Sequence, residues 1–343
     1  MNLSVHPYFL EFIHPFELAH GTRTGTQLAY VKIEHNKQIA YGEASLPPYR
    51  KETVNSVKKW VEKQHENVLE LLTKNPFENQ EYIPFSRENP AASAALQTAI
   101  LNWYVLSKDK KLTDFFETNL SKPSLTLTIT KNDFPFISEK MKLAKHFTHF
   151  KLKLTGTSDD LDFTKAIRNK TETPFCIDIN QGYKNKEDAI QLISILEKLH
   201  CVLIEQPLGN IDHDGHYWLK QRSQLPIIAD ESICLLEDLV KYHEAYSGVN
   251  IKMMKCGGLF QAQKMLQFNP NVGDDKFMKL IGCMSESSLG VSVAANLSPQ
   301  ADMVDLDSPY LNKNDPFQGF QILNGKIELK DKIRLRENTF FSD

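Results

Sequence analysis

Five charged residues recur along the second half of the chain at a nearly constant interval. Lys153, Asp178, Glu205, Asp230 and Lys255 are separated by 25, 27, 25 and 25 positions. One β-strand, one α-helix and their connections take up about that much chain. Each of the five closes a short apolar run, which places it at the C-terminal end of a strand. In a closed (β/α) barrel all such ends open onto one mouth. The interval therefore predicts two lysines and three carboxylates around a single cavity.

The alternation is continuous from Leu125 onward. Strands are expected near Leu125–Thr130, Phe147–Leu154, Pro174–Ile179, Val202–Glu205, Ile227–Asp230, Val249–Met254, Phe277–Gly282 and Met303–Leu306. Helical patterns such as Glu187–Leu199 and Leu236–Tyr246 lie between them. Eight strands with helices between them indicate a barrel rather than an open sheet. The eighth is followed by strand-like pieces, FQGFQIL and KIELK, in place of a last helix. Residues before about 118 read differently. Leu28–His35 and Gln38–Glu43 form a strand pair around Asn36-Lys37, and helical stretches follow at about Glu52–Leu72 and Pro90–Ser107. This is an α+β module.

Composition narrows the partners. A net charge of −3 over 343 residues leaves no basic footprint for nucleic acid. The five cysteines are scattered without CxxC spacing, which argues against zinc and disulfide frameworks and for reduced thiols in a cytoplasmic protein. No apolar run is long enough to suggest a membrane span, and the first residues lack the basic and apolar segments of a leader. Oligomeric state is left open, a homo-oligomer being compatible with this composition.

Lys151 and Lys153 alternate with Leu152 and Leu154, so both lysines share one strand face. Adjacent ammonium groups disfavour each other's protonation, which is expected to lower a lysine pKa and make a competent base. Asp178, Glu205 and Asp230 at three successive strand ends repel one another unless a cation lies between them. Oxygen ligands without His or Cys suit Mg²⁺, which would bind a substrate carboxylate and stabilise an enolate. Lys255, expected at the end of the sixth strand, faces Lys153 across the ring and becomes a second base. Lys252 is a rival, expected in mid-strand or at its entry. Bases on opposite faces of one carbon imply racemisation or epimerisation. Asp305 and Asp307 form a DxD at the end of the eighth strand and suit an ammonium group, with loop solvation and a second metal as alternatives. HDGH at His213–His216 reads as an exposed loop, with adventitious metal binding as the alternative, and KCGG is too short for a phosphate cradle.

The ordered set KxK, DxN, EQP, DES and KxGG resembles the enolase superfamily, muconate-lactonizing subgroup, over nearly the whole chain. The fold this resemblance implies is α/β: a (β/α)7β TIM-like barrel with an N-terminal α+β capping domain. The cap would be residues 1–118, joined by the tail 320–343, and the barrel 119–319. The resemblance implies Lys153 and Lys255 as the acid/base pair, Lys151 as the charge that tunes Lys153 and touches the substrate carboxylate, and Asp178, Glu205 and Asp230 as Mg²⁺ ligands. Within the subgroup, DxD after the last strand resembles dipeptide epimerases, where the pair holds the α-ammonium group. Thr128, Cys283 and Met284 match substrate-contacting positions. Specificity would come from cap loops, here HGTRTGT (20–26) and SLPPYRKET (45–53), with Arg23 as the arginine for a glutamate carboxylate and Arg50 as a second candidate.

The function expected from these readings is a Mg²⁺-dependent isomerase, a dipeptide epimerase acting on the C-terminal residue of its substrate. L-Ala-D/L-Glu leads the substrates, and salvage of cell-wall peptides is the setting. A muconate cycloisomerase or o-succinylbenzoate synthase on the same scaffold is the first alternative. A catalytically silent barrel that acts as a binding protein is the second.

Overall fold

The computed structural model describes residues 1–18, 21–116, 122–270, 276–337, 339 and 341. The chain opens with an antiparallel sheet of order β1-β2-β3, formed by Asn2–Leu18, Gly21–His35 and Gln38–Leu46. The expected pair β2/β3 turns at Asn36-Lys37, both with positive φ, as a tight two-residue hairpin requires. The strand β1 had no counterpart in the sequence reading. Its two prolines, Pro7 and Pro15, argue against a strand in general but are tolerated at a sheet edge, which is where β1 lies. Its pairing with β2 slips between Glu11 and Phe16. That slip turns the end of the hairpin, and the segment expected as a loop at 20–26 is β2 strand from Gly21 onward. His20 lies outside the described residues.

The expected helix at 52–72 is two helices, α1 (Val54–Glu62) and α2 (His65–Leu71). Thr53 caps α1, and its hydroxyl accepts from Ser56 N at 3.2 Å. Helix α3 (Pro90–Ser107) is buried almost all round. Its alanines let it lie directly on β3: a Cβ on Gly42 would sit 1.8 Å from Ala95 O. On the other side Gln97 Oε1 of α3 accepts from Phe260 N at 3.1 Å, tying this helix to the second half of the chain.

Eight parallel strands close a barrel in the order β10-β11-β4-β5-β6-β7-β8-β9. They are β4 (Ser124–Ile129), β5 (His149–Lys153), β6 (Phe175–Asp178), β7 (Cys201–Glu205), β8 (Ile227–Ala229), β9 (Gly248–Lys252), β10 (Met278–Gly282) and β11 (Met303–Asp305). The connecting helices are α4 (Ile137–Ala144), α5 (Asp160–Arg168), α6 (Lys186–Glu197), α7 (His213–Lys220), α8 (Leu236–Tyr242), α9 (Met253–Cys256), α10 (Leu259–Gln267) and α11 (Ser288–Ala294). After β11 the chain makes a hairpin, β12 (Phe317–Leu323) with β13 (Lys326–Leu335), so the barrel is (β/α)7β. The apolar runs were legible as strands because a parallel barrel buries them on both sides, as the fully buried β6 and β9 show.

Two further expectations are corrected. The sixth strand ends at Lys252, not Met254, and Lys255 lies in the short helix α9 that follows it. Gly257 closes that helix with φ +92, which favours glycine. HDGH is not an exposed loop. It opens α7, with Asp212 as N-cap, and His216 is fully buried. Among the described residues no helix is long and apolar enough to cross a membrane. The five cysteines are free thiols.

Candidate active site

The barrel register sets the charged residues in rows. Lys153 is paired with Asp178 and Asp178 with Glu205, and Lys252 and Asp305 both flank Gly282. Asp230 is the first residue beyond β8. Period-two alternation turns Lys151 and Lys153 inward while Leu152 and Leu154 pack outward, fully buried.

These strand ends border a cavity of about 320 Å³. Lys153, Asp230, Lys252, Lys255, Asp305, Asp307 and Thr128 line it from the barrel side, with Cys283 and Met284 from the loop after β10. Phe12, Phe16, Arg23, Tyr49 and Arg50 line it from the N-terminal sheet and the loop after β3. Lys151, Asp178 and Glu205 are buried beneath it.

Asp178, Glu205 and Asp230 each offer a carboxylate oxygen, all within 4.8 Å of one another. The set is all oxygen and fully buried, which fits a hard divalent cation. Ammonium groups lie against it. Lys151 Nζ is 2.9 and 2.8 Å from the two Glu205 oxygens, 3.2 Å from Asp178 Oδ2 and 2.7 Å from Asp305 Oδ2. Lys153 Nζ is 2.5 Å from Asp178 Oδ2, and Lys252 Nζ 2.7 Å from Asp230 Oδ2. Burial works against the carboxylate charge of Asp178, but Lys153 and Lys151 hold its pKa below the ordinary range. Lys252 and Lys255 do the same for Asp230. Glu205 takes the remaining repulsion: burial and the neighbouring Asp178 push it up to about 8.

Lys151, expected as the tuning charge beside Lys153, is held in its charged form. Burial does oppose its charge, yet Asp305, Glu205 and Asp178 outweigh it and hold its pKa well above the usual lysine value. Its neighbour lysine matters less than three carboxylates in contact.

The two lysines near Asp230 differ in kind. Lys255 Nζ lies 2.5 Å from Asp230 Oδ1 and also donates to three main-chain carbonyls: Asp230 O at 2.5 Å, Asn250 O at 3.0 Å and Ile233 O at 3.4 Å. An ammonium has three protons, so Lys255 is saturated by the walls around it. It braces the loop after β8 against β9. Lys252 ends β9, four strands around the ring from Lys153 on β5, on the opposite wall of an eight-stranded barrel. Strand parity carried this signal in the sequence. Asn250 and Lys252 are two apart and share the inward face, whereas a strand prolonged to 255 would turn Lys255 the other way.

Asp305 accepts from Thr126 Oγ1 at 2.9 Å as well as from Lys151. Asp307 accepts from Thr128 N at 2.5 Å. Burial and the charge of Asp305 raise Asp307 to about 6. Met284 N donates to Glu286 Oε1 at 2.7 Å. On the facing wall the Arg23 guanidinium lies 5.6 Å from the Phe12 ring centre and 5.4 Å from that of Tyr49. Its Nε and Nη1 are buried and have no hydrogen-bond acceptor. Arg50 is held differently, with Nη1 3.8 Å from Cys234 Sγ. Glu231 and Asn180, members of the DES and DxN motifs to which the sequence reading assigned no role, also line the cavity, joined by a 3.2 Å hydrogen bond. They directly follow or nearly follow acidic strand-end residues, which is the signal that could have found them.

Comparison with known proteins agrees with this architecture. Residues 137–333 match the family model described as enolase C-terminal domain-like. An L-Ala-D/L-Glu epimerase of Bacteroides thetaiotaomicron is 34% identical, over 96% of this chain and 86% of that protein. An L-Ala-D/L-amino acid epimerase of Flavobacterium johnsoniae is 30% identical, over 95% of this chain and 96% of that protein. The crystal structure of a dipeptide epimerase from Enterococcus faecalis V583, complexed with Mg and L-Leu-L-Tyr, superposes with a TM-score of 0.78 at 25% identity, covering 96% of this chain and 97% of that one. The chain belongs to the enolase superfamily, and within it to the epimerases.

Proposed function

We propose that this protein is a Mg²⁺-dependent dipeptide epimerase that inverts the α-carbon of the substrate's C-terminal residue, with L-Ala-D/L-Glu as leading substrate. The observation that carries the reading is a pair of amines, Lys153 and Lys252, on opposite walls of one cavity with the acidic trio between them. Lys252 takes the place that the sequence reading gave to Lys255, because Lys255 spends its protons on main-chain carbonyls.

Asp178, Glu205 and Asp230 would hold the ion. When bound, it supplies positive charge that stabilises the negative charge developing on the substrate carboxylate as the α-proton leaves. Either lysine, in its neutral form, takes the α-proton from its own side: a C–H bond breaks and an N–H bond forms. The other lysine, as ammonium, returns a proton to the far side, so its N–H bond breaks and a C–H bond forms with inverted configuration. Lys151 remains charged and fixes Glu205 and Asp305. Asp305 and Asp307 face the dipeptide's α-ammonium group. Thr128, Cys283 and Met284 border its backbone.

Arg23 supports an acidic side chain at the inverted residue. Its buried, unsatisfied guanidinium nitrogens gain acceptors from a glutamate carboxylate, and the flanking rings hold the plane in place. In this reading residues 1–118 with 320–343 form the capping unit that selects the side chain, and 119–319 the catalytic barrel. The boundary at 118/119 lies outside the described residues. Salvage of cell-wall peptides in the cytoplasm is the setting such a substrate suggests.

The test is solvent exchange. Incubated in D₂O with Mg²⁺, the enzyme should place deuterium at the C-terminal α-carbon of L-Ala-L-Glu while forming the L-Ala-D-Glu epimer. Absence of exchange across a broad dipeptide library contradicts the reading.

A further inference from the structure

The turn after β7 contains a buried amide that the proposed reaction does not use. Gln206 follows Glu205 with φ +41 and is fully buried. Its main chain still pairs on both sides: Gln206 N donates to Ile228 O at 2.9 Å, and Gln181 N donates to Gln206 O at 2.8 Å. Beyond this point the β7–β8 ladder stops, because the last registered pair is Glu205 with Ile228. Asp230 lies past the end of that ladder, just beyond a strand only three residues long.

The Gln206 side chain takes over there. Its Oε1 accepts from Asp230 N at 2.9 Å and from Ser232 N at 3.1 Å, where a continued strand would have offered a carbonyl. Its Nε2 shares two protons among three acceptors, Ser232 Oγ at 2.6 Å, Leu208 O at 3.1 Å and His216 Nε2 at 3.2 Å. His216, on α7, closes the arrangement. Its Nδ1 lies 2.6 Å from the Asp212 carbonyl, which can only accept, so Nδ1 carries the proton. Nε2 is then a lone pair facing two donors, the Gln206 amide and Leu208 N at 3.4 Å. Burial holds the ring neutral, with a pKa of about 4.

We propose that Gln206 and His216 are positioning residues for the acidic trio: the amide prolongs the strand ladder by one step, and the imidazole fixes which way the amide faces. Together they set the separation of Asp230 from Glu205 and hence the affinity of the trio for a divalent ion. The physical reason is that Asp230 is otherwise drawn toward β9 by Lys252 and Lys255, with no main-chain partner on the β7 side to resist. Replacing Gln206 by an apolar residue leaves two buried N–H groups without acceptors and frees the turn that carries Asp230.

This inference rests on the trio being the Mg²⁺ site. The experiment is calorimetric titration of the full chain with Mg²⁺ at neutral pH, for the wild type, Gln206→Leu, His216→Phe and His216→Gln. Apo unfolding midpoints are recorded for each. Outer partners of metal ligands typically change affinity by about 10–100-fold. Gln206→Leu should fall in that range and His216→Phe near its lower end. His216→Gln, which keeps an acceptor where Nε2 was, should recover most of the loss. Nitrogen NMR of the wild type should show His216 protonated at Nδ1 at neutral pH. If His216→Phe folds and binds Mg²⁺ as tightly as the wild type, or if the ring is protonated at Nε2, the positioning role is overturned and the epimerase reading stands. If the wild type itself binds no Mg²⁺, both fall, and that outcome is distinct.

Discussion

The barrel rim and the cap wall face each other across one cavity and hold their charges in opposite ways. On the rim, Lys151, Lys153 and Lys252 lie within 2.9 Å of carboxylates at other strand ends. On the cap wall, Arg23 lies between two aromatic rings, and two of its nitrogens have no acceptor. The rim lysines are paired within the rim, and their geometry is fixed by register. In the proposed reaction the cap wall is completed by an anion from outside. A self-contained rim suits a reaction common to many substrates, and an unsatisfied wall suits the choice among them. In an enolase-superfamily barrel this divides chemistry from selectivity along a physical line.

The largest effect should follow from disturbing the rim. Chelation of divalent ions should abolish turnover, and Mg²⁺ should restore it. Full activity in the presence of excess chelator breaks the assignment of Asp178, Glu205 and Asp230. Loss of one acid/base group is expected to lower kcat by about 10²–10⁴-fold. Lys252→Ala should show that loss in steady-state assays. Lys255→Met should lose stability instead, by about 3 kcal/mol, as removal of one partner from a buried ion pair does. Its kcat, measured well below its unfolding temperature, should stay within a few-fold of wild type. The opposite pattern would return the catalytic role to Lys255.

On the cap wall, Arg23→Ala should lower kcat/KM for L-Ala-L-Glu by about 10–100-fold, the equivalent of one charged hydrogen-bonded contact. It should leave a dipeptide ending in an aliphatic residue nearly unchanged. An equal loss on both would mean that Arg23 supports the fold rather than the choice of side chain.

The smallest effect concerns the seam between the two regions. Glu43 of β3 reaches across to Ser287 at the start of α11, whose N donates to Oε1 at 2.8 Å. Burial first, and then the charge of Glu286, raise Glu43 to about 8. Burial raises Glu286 itself to about 7. Both folded values exceed the ordinary value of 4.5, so the folded state retains protons that the unfolded state has released. Their contribution is fully present below pH 4.5 and is lost as pH rises through 7 and 8. The unfolding midpoint should therefore fall across this window, and fall less in Glu43→Gln. Parallel profiles for the two proteins would show that the seam does not titrate.

The same contrast explains what was legible in the sequence. Rim residues announced themselves because each closes an apolar run at a fixed interval, and a parallel barrel turns that interval into position. The exception is instructive. In NIKMMKCGG the apolar character continues past the strand, so hydrophobicity alone does not mark where β9 becomes α9. Only side-chain parity separates Lys252 from Lys255. The cap was harder to read. Strand β1 carries two prolines and a register slip, and Arg23 is placed by pairing with Phe16 across that slip. No local pattern encodes such a pairing. The HDGH setting of His216 looks polar and exposed for a related reason: its burial depends on Gln206, ten positions away, and on Tyr246, which the local pattern does not show.

The most direct test of the account follows the fate of one proton on each face. In D₂O, L-Ala-L-Glu and L-Ala-D-Glu are offered separately to Lys153→Ala and to Lys252→Ala, and α-deuterium is read by mass spectrometry. Each variant should exchange the α-proton of one epimer and not the other, and the two variants should prefer opposite epimers. Exchange of both epimers by Lys252→Ala at the wild-type rate would contradict an inversion carried by amines on opposite walls.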